Sequence, residues 1–73
     1  MITVTAGTDA VAANATSHVI THNLGNASAF LIGVFGDWNT GAPFKTAQDA
    51  NTITVGFPNE APGSQNIDWS VGE

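Results

Sequence analysis

The segment Ala29 to Phe35 (Ala-Phe-Leu-Ile-Gly-Val-Phe) is apolar at every position. Its β-branched and aromatic residues read as a strand, with Phe30, Ile32 and Val34 on one side and Leu31 and Phe35 on the other. One sheet hides only one side of a strand, and leaving the other wet forfeits about 25 cal/mol per Å². The segment is therefore expected between two layers or against another subunit. The chain has only 73 residues, and a domain of that size buries only about 60% of the surface its unfolded form exposes. Such domains gain stability from disulfides, a structural metal or partner copies. There is no cysteine, and His18 and His22 are the only histidines, a poor set for zinc. Partner copies are the remaining route, with Phe30, Ile32, Val34 and His22 as the expected interface residues.

The rest of the chain reads as further strands. Ile2-Thr3-Val4-Thr5 alternates, with Ile2 and Val4 expected to face the core. Ala6 to Ala15 is rich in small residues without a 3.6-residue stripe and reads as a loop with an extended end. Thr16 to His22 places His18, Ile20 and His22 on one face, and Asn23-Leu24-Gly25-Asn26 supplies turn residues for a following hairpin. Gly36 to Pro43 reads as a long loop around Trp38, and Phe44 to Ala47 as a short strand. Thr52 to Phe57 turns Ile53, Val55 and Phe57 inward; Gln65 to Val71 does the same with Ile67, Trp69 and Val71. The fold class is all-β, one domain over residues 1–73, a small antiparallel β-sandwich or barrel of about six strands.

Charge removes several function classes. Lys45 is the one basic residue against six acids, for a net charge of −5. Neutralising phosphates takes several clustered basic side chains, so no nucleic acid is expected as partner, nor an anionic membrane surface. The start Met-Ile-Thr-Val-Thr lacks the positive leader and apolar core of a signal peptide, and no run reaches transmembrane length, so a soluble product made in a cytoplasm, with no membrane insertion, is expected. Charged residues are only 10% of the chain, against roughly 25% in ordinary soluble domains. That deficit suits a surface partly covered by neighbours.

Chemistry-bearing patterns are thin. On a strand, His18 and His22 would stand about 13 Å apart, too far to share an ion within one chain. Ser17, His22 and Asp68 spell a triad by composition alone, and Asp37 with Asp49 is an unspecific carboxylate pair. No nucleophile elbow or phosphate-binding glycine loop occurs. No catalytic residue, metal or cofactor is expected, and the chain reads as no enzyme. Trp38, flanked by Asp37 and Asn39, has two readings: a ring that stacks on a sugar while its neighbours hydrogen-bond, or a plug folded back over the core or a seam between subunits. Trp69 alternates with Ile67 and Val71 and reads as core.

From Ile20 to Val71 the layout resembles the small β-sandwich domains of phage tail-fibre and receptor-binding proteins, which are similar to the H-type lectin fold. The resemblance is carried by Thr21-His22-Asn23-Leu24-Gly25, the apolar strand Phe30 to Phe35, Thr52-Ile53-Thr54-Val55-Gly56-Phe57 and the closing Ile67-Asp68-Trp69-Ser70-Val71. It implies a trimer or stacked trimers, and recognition of virion neighbours or host-surface glycans. A chain of this length suits a capsid decoration or head-fibre component as well as a tail-fibre tip. The expectation is a homo-oligomeric virion protein that docks on other virion proteins. A free-standing carbohydrate-binding module is the alternative.

Overall fold

A computed structural model describes residues 2–73 and contains six strands: β1 (Val4–Val11), β2 (Ser17–Thr21), β3 (Phe30–Gly36), β4 (Phe44–Gln48), β5 (Thr52–Gly56) and β6 (Gln65–Gly72). They form two three-stranded antiparallel sheets, β1-β6-β3 (sheet A) and β2-β5-β4 (sheet B). The sheets do not close into a barrel, and no helix occurs among the described residues. The molecule measures 36 × 18 × 18 Å.

The central strands supply most of the core, as their alternation predicts. Ile53, Val55 and the following Phe57 meet Ile67, Trp69 and Val71 across the sheet interface, with Ile20, Val11 and Val34 added from the flanking strands. Ala29 and Ala61 seal the loop ends.

Three expectations are corrected. The first concerns β1, which is a strand of eight residues where a loop was expected after Thr5. Its phase is also reversed: Val4 is 57% and Ile2 62% exposed, while Val11 is buried. The cause lies far along the chain, at Trp69, which pairs with Gly7. A Cβ at Gly7 would stand 2.7 Å from Trp69 Cζ2. The indole therefore needs a bare backbone beneath it, and placing Gly7 inward turns Val4, Ala6 and Thr8 outward.

The second correction is the phase of β3. Leu31 pairs with Val71 and Val34 with Trp69, so three steps along β3 match two along β6. The extra residue is a β-bulge at Ile32, which shifts the alternation by one. Phe30, Ile32 and Phe35 are consequently all exposed, whereas Val34 turns inward.

The third is the hairpin expected after His22. Asn23 and Gly25 do take positive φ, 56° and 63°, but the chain crosses there from sheet B to sheet A. The sequential hairpin is β4–β5. Asp49 Oδ1 accepts the Asn51 and Thr52 N–H groups at 2.8 Å each. Those bonds, to Asn51 first and Thr52 second, hold the exposed Asp49 carboxyl below the usual carboxylate range. The hairpin also braces the crossing: Asn51 O accepts the His22 and Asn23 N–H groups, and Asn51 Oδ1 accepts that of Gly25.

Candidate functional site

Register places Val4, Gly72 and Phe30 side by side on the outer face of sheet A. Gly72 leaves a shallow floor under the Phe30 ring: a Cβ there would lie 2.5 Å from Phe30 Cζ and 3.2 Å from Ile32 Cδ1. Farther along β3, the ring of Phe35 leans over Gly33 and remains 74% exposed. Val4, Phe30, Ile32 and Phe35 thus make an apolar face that the chain itself does not cover. Among its described strand residues the one charge is Asp68, whose Oδ1 accepts the Thr8 hydroxyl at 2.7 Å. Lys45 lies on β4, in the other sheet. A face of this kind, large in aromatic area and poor in charge, has the composition of the middle of a protein interface.

Two of the expected interface residues, Phe30 and Ile32, sit together on this face. Val34 and His22 do not, because both are buried within the chain. Phe35 and Val4 belong to the face instead, and no period in the sequence marks them. His22 Nδ1 accepts the Leu24 N–H at 3.1 Å, so in the neutral ring the proton resides on Nε2. That atom is buried and has no hydrogen-bond partner among the described residues.

The loop after β3 holds Asp37, Trp38 and Asn39. Trp38 folds back: its ring meets Phe57 edge-on, centroids 5.3 Å apart at 78°, and its Nε1 donates to Asn59 O at 3.0 Å. Asn59 in turn donates from Nδ2 to Asn39 O, and Asn39 Oδ1 accepts the Gly41 N–H. The ring is therefore a half-buried plug joined to the loop before β6, while the Asp37 side chain points to solvent.

The remaining polar groups are dispersed. His18 Nε2 and Asp9 Oδ2 are 2.8 Å apart and pin β2 of one sheet to β1 of the other. Ser17 and Asp68 lie on opposite outer faces of the sandwich, with His22 inside between them, so they form no triad. Among the described residues no pocket opens on the surface and no group of three metal-ligating side chains forms. No helix is long and apolar enough to cross a membrane.

Compared with known families, curated proteins and solved structures, the chain finds no match in any of the three.

Proposed function

We propose that this chain is a non-catalytic virion structural protein of phage type, a capsid decoration, head-fibre or tail-fibre component. It acts by homo-oligomeric docking on other virion proteins. One observation carries the reading: Val4, Phe30, Ile32 and Phe35 stand exposed together on a sheet face whose described strand residues carry one charge, Asp68. Covering that face with protein recovers the apolar area that a lone copy leaves wet. Three copies are the stoichiometry that the resemblance to phage fibre domains implies.

The carbohydrate-binding alternative gains less support. The Trp38 ring is engaged by a T-shaped contact with Phe57 and its N–H by Asn59 O, which favours the plug over a sugar platform. Display of a receptor-binding loop on the same virion protein would use Asp37, whose side chain is free.

The test uses particles produced from cells that make this chain. Mass spectrometry of the banded particles should find it in fixed ratio to a major virion protein. The Phe30→Ser/Phe35→Ser double variant should be made in normal amount yet drop out of the particle. Particles without the wild-type chain would refute the virion reading, and undiminished incorporation of the double variant would refute the role of this face.

A further inference from the structure

The four edge strands of the sandwich are not alike. β4 begins after Pro43, carries Lys45 and breaks register between Lys45 and Ala47. β3 is bulged at Ile32, and the Gln48 side chain caps the Ala27 and Ala29 carbonyls at its start. β2 is only five residues long. Bulges, lysine, proline and shortness are the devices by which edge strands refuse a further strand. β1 has none of these four: it runs eight residues in unbroken register with β6, without proline, lysine or bulge, and its one inward charge, Asp9, is held at His18.

The backbone groups left at that edge can be identified. Thr3 and Glu73 exchange both N–H···O bonds, at 3.1 Å each. By antiparallel alternation Thr5, Gly7, Asp9 and Val11 then point their N–H and C=O groups at β6. Asp37 donating to Asn66 O fixes the same phase on the far side of β6. Val4, Ala6, Thr8 and Ala10 point theirs away, and among the described residues none of these groups finds a partner.

We infer that β1 pairs antiparallel with β1 of a second copy about a two-fold axis, joining two copies of sheet A into one six-stranded sheet. The sequence of β1 matches itself in a register centred on Gly7. Val4 then faces the partner's Ala10, and Ala6 faces the partner's Thr8, so every outward-pointing N–H and C=O of β1 is used. These side chains are small or β-branched and share the outer face. On the inner face Thr5 meets the partner's Asp9, whose Oδ1 remains free while Oδ2 is held at His18; the threonine hydroxyl donates to it. The glycines meet at the axis, and no like charges face one another. The inference is independent of the virion reading, because it uses the hydrogen bonds of an edge and not the apolar face.

Amide exchange on the wild-type chain reads the edge directly. At concentrations where the pair forms, the Ala6 and Thr8 amides should exchange as slowly as those of Thr5 and Gly7, and should become fast on dilution. Fast exchange at Ala6 and Thr8 at every concentration, with Thr5 and Gly7 protected, overturns the pairing. Ala6→Pro gives a second handle. Its nitrogen lies at the free edge, where proline costs no ladder bond, so the fold should persist while the molar mass of the assembly halves; an unchanged mass overturns the pairing. The chain has no cysteine, which allows a check of register. Mixed Ala6→Cys and Thr8→Cys chains should cross-link under mild oxidation faster than either alone, and equal rates overturn the register.

Discussion

The two faces of sheet A carry comparable amounts of apolar side chain and meet opposite fates. Inside, Leu31, Val34, Ile67, Trp69 and Val71 are covered by sheet B, and Ile67 and Val71 are fully buried. Outside, Val4, Phe30, Ile32 and Phe35 remain 42–74% exposed. The outer face of sheet B differs again: there Ser17, Thr21, Thr52 and Thr54 predominate around Val19 and Phe44. Burial in this molecule therefore follows which side of a sheet a residue takes rather than how apolar it is. The sheet whose outer side is written in phenylalanine and isoleucine is the one whose outer apolar side chains the chain leaves exposed.

The contrast is broken most severely at Trp69. Trp69→Ala should cost about 3–5 kcal/mol in chemical denaturation, and an unaltered denaturation midpoint would mean that the inner face is not what holds the sandwich together. Next come the two glycines that lie under aromatic rings. Gly7→Ala drives a methyl into a buried indole that cannot move and should cost about 1–3 kcal/mol. Gly72→Ala meets the half-exposed Phe30 ring, which can swing away, and should cost clearly less. Equal losses would erase the distinction between the sealed face and the open one.

Outer-face changes should leave the single copy almost untouched. Phe35→Ser, measured at dilutions where copies separate, should shift stability by no more than about 0.5 kcal/mol while weakening self-association. The smallest effect concerns acid. Because folding holds the Asp49 carboxyl below its ordinary range, its contribution is complete above that range and is lost as pH falls through the lowered folded value. Asp49→Asn should flatten that part of the pH profile, whereas an identical acid limb in both proteins would assign acid sensitivity elsewhere.

Legibility in the sequence divides along the same line. β5 and β6 are readable because the polar residues Thr54, Asp68 and Ser70 separate Ile53, Val55, Ile67, Trp69 and Val71 at period two. β3 is readable as a strand but not in phase: an uninterrupted apolar run gives no cue to the bulge at Ile32, so simple alternation groups Val34 with Phe30 although it turns inward. β1 hid for the opposite reason. Its Ala, Gly and Thr residues carry almost no period, and the constraint that orders them is the ring of Trp69, sixty-two positions beyond Gly7. Turn chemistry was legible at Asn23 and Gly25, yet local residues do not encode to which sheet a chain returns. For Trp38 the sequence allows both readings, and the contacts with Phe57 and Asn59 belong to the plug.

The most direct test is the molar mass of the isolated wild-type chain by light scattering across a dilution series, with Phe30→Ser/Phe35→Ser measured beside it. The account predicts a wild-type mass several times 7.5 kDa and a smaller assembly for the double variant. A folded wild-type chain that remains at 7.5 kDa at every concentration would contradict it.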